Sequence, residues 1–272
     1  MNKKIIITGA NGYVGKNFIA LLKKKKFKIL KIKTSSLINK IKIHGKFNAF
    51  IHLGFEIKKN CNIKNQVKIL KNVINISKNN CKKLIFTSTA ATGPKKKRKI
   101  ITKNNYQKAK YICEKILKKD NSSVKITILR IFNIIGPNQK LGFLITDLIS
   151  KFITKKKIEI YNYLNKRDYV YIDDVCRAIY CTLKNKSEKF QIIEIGSGKN
   201  HSLLKVAEKI KHLLKSDKKI IKGNKYKSPI KTKALLKNQK IKWIPKINID
   251  KALNLIIKNY EKKNWNNLPK IK

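Results

Sequence analysis

Three stretches of this sequence carry residue types at spacings that can do chemistry. The first is Thr8-Gly9-Ala10-Asn11-Gly12-Tyr13-Val14-Gly15. Its three glycines lie between an apolar run and a helical pattern, which suits a dinucleotide. Gly9 allows a tight turn, Gly12 lets the backbone approach a pyrophosphate, and Gly15 lets helix and strand pack closely. The N–H groups that open the helix, at Tyr13 and Val14 with Asn11 just ahead, would face the anion. The second stretch follows the next apolar run. A carboxylate there would bind ribose hydroxyls and repel a 2′-phosphate. This chain instead has Lys33, Thr34 and Ser35, which suit a 2′-phosphate and lean towards NADP over NAD. The third is Tyr106-Gln107-Lys108-Ala109-Lys110. Tyr at i and Lys at i+4 share one helical face, and a nearby ammonium lowers a phenol's pKa, making it a usable acid or base. Upstream, Leu84-Ile85-Phe86-Thr87-Ser88-Thr89 reads as a strand ending in hydroxyls. In an open parallel sheet, ligands bind beyond such strand ends.

The elements that must hold these residues follow from hydrophobic patterning. Strands are expected at Lys4–Thr8, Lys28–Lys33, Ala49–Leu53, Lys83–Ser88 and Lys125–Phe132. Helices are expected at Gly15–Lys25, Val67–Ser77 and Tyr106–Lys118. This alternation implies a parallel sheet with helices on both faces. The stretch from Thr34 to Phe47 is too short for a full crossover helix plus strand, so the sheet should be abbreviated there. Further on, Gly142–Lys156 reads as a helix and Lys157–Tyr161 and Tyr169–Ile172 as strands. A helix at Asp173–Leu183, a strand at Ile192–Ile195 and a helix at Leu203–Leu214, N-capped by Ser202, follow. The tail Ile241–Trp265 reads as short and mixed, and Lys95–Lys99 as a basic loop.

Composition bounds the function class. The chain has 272 residues, 42% hydrophobic and 30% charged, enough for a large α/β domain with its own core. It carries 67 Lys+Arg against 14 Asp+Glu, a formal charge of +53. Only Arg98, Arg130, Arg167 and Arg177 are arginines, and the lysines are spread almost evenly. Specific nucleic-acid readers favour the bidentate guanidinium, so this reads as compositional drift, with no specific nucleic-acid partner expected. The charge should still repel itself at low salt and draw polyanions nonspecifically. No apolar run reaches the roughly eighteen residues of a membrane helix, and the N-terminal run is too short for a signal peptide. Five cysteines without CxxC pairs and four scattered histidines argue for reduced thiols, a cytoplasmic setting and no metal.

The ordered set of motifs resembles the extended short-chain dehydrogenase/reductase superfamily, in its NAD-dependent epimerase/dehydratase branch. Besides TGxxGxxG and YxxxK, matching segments are Ile51-His52-Leu53-Gly54 (usually HLAA), Thr87-Ser88-Thr89-Ala90 and Leu129–Pro137. Arg167-Asp168-Tyr169-Val170-Tyr171-Ile172-Asp173-Asp174-Val175, Glu194–Gly198 and Trp243-Ile244-Pro245 complete it. Together they span nearly the whole chain.

The resemblance implies a Rossmann-like doubly wound parallel sheet, residues 1–140 with 167–185 returning to it. Most of 141–272 would form a small C-terminal substrate-binding region. It implies NAD or NADP as cofactor and a nucleotide sugar as substrate, with a homodimer as the default assembly. Thr89 would hydrogen-bond the reacting oxygen, Tyr106 would be the acid/base, and Lys110 would hold the nicotinamide ribose. Ser88, Leu53 and Gly54 would line the cofactor, Asn133 would face the substrate, and Arg167 would grip the diphosphate. Arg130 suits either an ion pair or a ligand role. Asp168 and Asp174 suit structural roles, Asp174 at a helix start. Thr89 is followed by Ala90 and Ala91, not by the Asp-Glu pair of the 4,6-dehydratases, which disfavours dehydration. Thr89 and Tyr106 are also closer in sequence than in typical relatives, and Thr92 precedes Gly93 where many have Tyr. The expected activity is a UDP-sugar 4-epimerase working by transient hydride transfer at C4. An NADPH-dependent 4-ketoreductase is the near alternative, and a non-catalytic dinucleotide or RNA binder the alternative of another class.

Overall fold

The computed structural model describes residues 3–92, 104–186, 188–223, 231–236 and 241–262. The basic run Lys95–Lys99 and the Thr92-Gly93 junction's glycine lie outside them. In chain order the first elements are β1 (Lys4–Thr8), α1 (Tyr13–Lys23), β2 (Lys28–Ile32), β3 (Ala49–His52), α2 (Ile63–Asn80), β4 (Lys83–Thr89) and α3 (Asn105–Lys118). Then come β5 (Lys125–Ile131), β6 (Asn133–Ile135), α4 (Leu144–Thr154), β7 (Ile158–Ile160), β8 (Lys166–Tyr171) and α5 (Ile172–Lys184). The last are β9 (Phe190–Ile195), β10 (Asn200–Ser202), α6 (Leu203–Leu213), β11 (Ile220–Lys222) and α7 (Ile249–Lys262).

The chain divides into two compact units. The first holds Met1–Ile131, Val175–Ile195 and Lys237–Trp243; the second holds Phe132–Asp174, Gly196–Leu236 and Ile244–Lys272.

Unit 1 is built on six parallel strands in the order β2-β1-β3-β4-β5-β9. Strands covered on both faces need continuous apolar runs, and Ile5-Ile6-Ile7 and Ala49-Phe50-Ile51 are completely buried. On α1, Gly15, Phe18, Ile19 and Leu22 recur at helical spacing and are the buried face. One core cluster joins Ile6, Phe50, Leu84, Phe86 and Ile128 of the sheet to Leu70 and Val73 of α2 and Cys113 and Leu117 of α3. Between β2 and β3 there is only a 3-10 turn, Thr34–Ile38, as the short spacing predicts. The chain leaves β1 for β2 on one side and returns for β3 on the other. That reversal makes a crevice at the C-terminal ends of β1 and β3, where such sheets bind ligands.

α2 begins four residues earlier than the spacing predicts. Asn62 caps it, its side chain accepting from the Asn65 N–H at 3.0 Å. Asn104 caps α3 in the same way, accepting from the Gln107 N–H at 3.0 Å. That bond starts α3 one residue before Tyr106.

In unit 2, β8 is the middle strand of three, parallel to β6 and antiparallel to β10. β7 and β11 form a separate parallel pair. The strand read at Lys125–Phe132 is β5, which ends one residue earlier, and the short β6 that follows pairs with β8. One reading from the sequence is corrected here. The tail read as short and mixed contains the 14-residue helix α7, whose Ala252, Leu253, Ile256, Ile257 and Tyr260 are buried at helical spacing. Lysines and asparagines between those positions hide the pattern. Among the described residues no helix is long and apolar enough to cross a membrane.

Candidate active site

The glycine loop closes the crevice at the end of β1. Gly9 has φ +70, and a Cβ there would stand 2.5 Å from the Gly54 nitrogen and 2.7 Å from the Leu53 carbonyl carbon. A Cβ on Gly15 would stand 2.1 Å from the Gly9 oxygen. No side chain can be added at either position without moving backbone. Gly12 caps α1 with no side-chain bond, its own N–H donating to the Gly9 oxygen at 3.0 Å. The opening turn of α1 therefore carries no side-chain cap and no acidic residue, an arrangement open to an anion. Asn11 and Gly12 are exposed; Tyr13 and Val14 are half-buried.

Gly54 is fixed as tightly. A Cβ on it would fall 1.9 Å from the Thr34 hydroxyl oxygen and 3.0 Å from the Gly9 nitrogen. The end of β3 is thus held between the glycine loop and the turn after β2. Lys33 and Ser35, which flank Thr34, are exposed at the end of β2, and no carboxylate stands beside them in sequence. These residues fit a dinucleotide: close-approach glycines, an uncapped helix start, and a strand end without a repelling acid.

Tyr106 and Lys110 lie one turn apart on α3, and Thr89 ends β4. The Ala91 N–H points at the Thr89 hydroxyl at 3.4 Å. Lys110 is buried, and its ammonium donates to the Thr87 carbonyl at 2.6 Å. The same nitrogen lies 3.7 Å from the ring centroid of Phe55, 4.7 Å from that of Phe86 and 6.0 Å from that of Tyr106. Phe55 in turn meets Tyr106 edge-on, centroids 5.8 Å apart. Burial lowers Lys110 to about 7, while neighbouring Cys113, Glu114 and Cys61 oppose the shift. Burial, with Cys61 adding to it, pushes the Tyr106 phenol up to about 12.

This departs from the electrostatics expected of the pair. The ammonium was expected to bring the phenol down. In this arrangement Lys110 is turned to the Thr87 carbonyl and the two phenylalanine rings, and dry surroundings dominate both groups.

Below Lys110, a further turn along the same face, lies buried Glu114. It accepts from the Ser88 and Thr92 hydroxyls, each at 2.5 Å, and from the Arg130 guanidinium at 2.6 Å. Arg130 is therefore the ion-pair partner of α3. Ser88, expected at the cofactor, has its hydroxyl on this carboxylate. On β3, buried His52 shares a 2.7 Å hydrogen bond with the Thr8 hydroxyl and stacks on Phe86 with centroids 5.7 Å apart. Burial first, then Lys110, lowers it to about 3, so it is neutral. Phe55 and Glu114 were not singled out from the sequence, and His52 entered only as part of the Ile51–Gly54 motif. The available signals were a phenylalanine where the HLAA pattern has its second alanine, and a glutamate one turn beyond Lys110.

Unit 2 holds the substrate-side candidates. Arg167 is exposed on β8, opposite His201 of β10. The Asn133 side-chain amide donates to the Asp168 carbonyl at 2.7 Å. Asp168 is wholly buried and accepts from the Ser197 N–H (2.6 Å), the Ser197 hydroxyl (2.7 Å), the Gly198 N–H (2.9 Å) and the Ala234 N–H (3.0 Å). Asp174, buried in the first turn of α5, accepts from the Lys246 and Ile247 N–H groups at 3.0 and 2.9 Å. Both carboxylates anchor backbone.

Comparison with known proteins gives the family. The pattern of the NAD dependent epimerase/dehydratase family matches residues 5–196. The chain is 27% identical over 229 residues to GDP-6-deoxy-D-talose 4-dehydrogenase of Aggregatibacter actinomycetemcomitans, covering 75% of this chain and 77% of the relative. It is 28% identical over 206 residues to dTDP-4-dehydro-6-deoxyglucose reductase of Escherichia coli, covering 68% and 63%. The UDP-glucose 4-epimerase of Thermotoga maritima, solved with UDP-glucose, superposes with a TM-score of 0.82 at 20% identity over 96% of this chain and 99% of that one. With its six-stranded Rossmann-like sheet, its glycine loop and its TyrxxxLys helix, the chain belongs to the NAD-dependent epimerase/dehydratase family, whose members are NAD(P)-linked enzymes acting on nucleotide sugars.

Proposed function

We propose that the protein exchanges hydride at C4 of a nucleotide-linked hexose, and that it works as an NADP-linked 4-ketoreductase. The observation that carries this reading is the end of β2. There Lys33, Thr34 and Ser35 stand where a carboxylate would select the unphosphorylated ribose, and Lys33 and Ser35 are exposed. The dehydrogenase and the reductase among the relatives are both named for redox chemistry at the 4-position, which supports the same direction.

Gly9, Gly12, Gly15, Leu53 and Gly54 would hold the dinucleotide, with Asn11, Tyr13 and Val14 at its pyrophosphate. When bound, it supplies the hydride to the sugar carbon. Tyr106 donates its phenolic proton to the oxygen of that carbon, and Thr89 hydrogen-bonds the same oxygen. Lys110 opposes the negative charge left on Tyr106 until solvent returns the proton. Arg167 would hold the substrate diphosphate and Asn133 would face the sugar.

The epimerase, the activity expected from the sequence, is the second reading. The Arg167–Val175 segment resembles the RDYVYIDD-type epimerases, in which the hydride returns to the opposite face of the ring. Two measurements separate the readings. Fluorescence titration with NADH and NADPH at about 0.3 M salt, where the Debye length is roughly 5–6 Å, damps nonspecific attraction to the lysines. Preference for NADPH, with its consumption by a nucleotide-linked 4-keto-6-deoxyhexose, supports the reductase. Preference for NADH, with interconversion of UDP-glucose and UDP-galactose and no net cofactor consumption, supports the epimerase. In either case Tyr106→Phe should abolish turnover and leave cofactor binding within about threefold. Retained turnover in that variant would sink the assignment.

A further inference from the structure

Among the described residues, the buried Lys110 ammonium has one hydrogen-bond acceptor, the Thr87 carbonyl at 2.6 Å. A buried ammonium is held charged only by its neighbours. Two of those neighbours are aromatic faces, Phe55 at 3.7 Å and Phe86 at 4.7 Å to the centroid. Phe86 lies inside β4 and is completely buried, so it serves the core as well. Phe55 is different. It is a half-buried loop residue after β3, and its chain neighbour Gly54 is locked by Gly9 and Thr34. That lock fixes where the ring starts. The ring then reaches Lys110 with its face and Tyr106 edge-on, at 5.8 Å between centroids. It touches both members of the TyrxxxLys pair at once.

We propose that Phe55 is a positioning residue of the reaction centre, a ring that holds the Lys110 ammonium on its face and sets the Tyr106 ring at its edge. The inference rests on the assignment of Tyr106 and Lys110 above. The ring's quadrupole favours the charged amine, and its bulk keeps water from it. The titratable groups facing Lys110 are Tyr106, Cys113 and Glu114 on α3, Cys61 in the loop before α2, and His52 on β3. Glu114 is the one carboxylate among them, and Arg130 already engages it. The aromatic face therefore joins Cys113, Glu114 and Cys61 in opposing the loss of charge that burial imposes on Lys110.

The test compares Phe55→Leu, which keeps apolar bulk and deletes the ring, with Phe55→Tyr, which restores the ring. Each is assayed with the nucleotide sugar turned over by the unaltered protein, and with NADPH by fluorescence. Phe55→Leu should lower kcat about tenfold, with KM and NADPH affinity changed less than threefold. A lost ring lowers the pKa of Lys110, so the alkaline fall of kcat should move down by about one pH unit. Phe55→Tyr should recover most of kcat and return the limb to its place. An unchanged limb and kcat in Phe55→Leu overturns the proposal. So does an equal loss in Phe55→Tyr, or a loss confined to KM or to NADPH binding. If Phe55→Leu does not fold, Phe55→Met takes its place with the same expectations. The underlying assignment fails separately, through retained turnover in Tyr106→Phe.

Discussion

The Arg130 guanidinium closes on the Glu114 carboxylate at 2.6 Å, with both side chains largely out of solvent. Arg130 sits on β5 and Glu114 on α3, two turns beyond Tyr106. The pair ties the helix that carries the acid/base to the sheet. The Ser88 and Thr92 hydroxyls complete the carboxylate's shell from the end of β4. Removing one partner of a buried pair leaves a charge uncompensated, which costs more than the pair contributes. Glu114→Ala is expected to lose about 3–5 kcal/mol of stability in urea unfolding. Replacing both residues, Glu114→Gln with Arg130→Met, should lose clearly less. Equal losses in the single and double variants would contradict this account.

His52 makes the fold acid-sensitive. Its folded pKa is about 3 against 6.5 in a model peptide. The depressed value means its contribution is fully present above 6.5 and is lost as pH falls towards 3. Between pH 6.5 and 5 the loss should be about 2 kcal/mol, one proton taken up by the unfolded chain only. His52→Asn should flatten the melting temperature against pH over that interval. An unchanged slope would place the acid sensitivity elsewhere.

Gly54 tests the interlock at the crevice. Gly54→Ala puts a methyl into the space of the Thr34 hydroxyl and against the Gly9 backbone. A cost of about 1–3 kcal/mol is expected, with weakened dinucleotide binding. Thr34→Gly in the same chain should recover part of it, because the nearest obstacle is then gone. No coupling between the two substitutions in a double-mutant cycle would refute the packing described.

Asp168→Ala strips the acceptor from three backbone N–H groups, those of Ser197, Gly198 and Ala234. Unmet buried donors each cost roughly 1–3 kcal/mol, so a loss of about 3 kcal/mol or more is expected in unit 2. Asp168→Asn, which keeps an acceptor, should lose less. The readout is hydrogen exchange at Ser197 and Gly198, which should speed up in the alanine variant.

Much of this architecture is legible in the chain because the relevant signals are local. Ile5-Ile6-Ile7 can only be a strand buried on both faces, and Gly9, Gly12 and Gly15 mark the turn that follows. The shortness of Thr34–Phe47 foretells a missing crossover. What stays hidden depends on contacts distant in sequence. Glu114 resembles any solvent-facing glutamate until β5 delivers Arg130. Phe55 resembles any loop phenylalanine until Gly9 and Thr34 fix Gly54 beside it. α7 is hidden for a compositional reason, since lysine and asparagine occupy its outer face and dilute the apolar period. The Tyr106–Lys110 spacing gives the shared face correctly but not the direction of the ammonium, which Thr87 and two rings decide.

The abbreviated connection after β2 has one further consequence. With no strand beyond it among the described residues, β2 is a bare sheet edge, its N–H and C=O groups on one side unclaimed by β1. Such an edge invites a strand from another molecule and is a seed for aggregation. Leu30 stands on it 39% exposed, which would add to the attraction. On either side of Leu30 the strand carries Lys28 and Lys31, both exposed. A second copy approaching in register would bring like charges together. The lysine excess therefore acts here as a guard, keeping separate molecules from joining along the edge that the shortened fold leaves open.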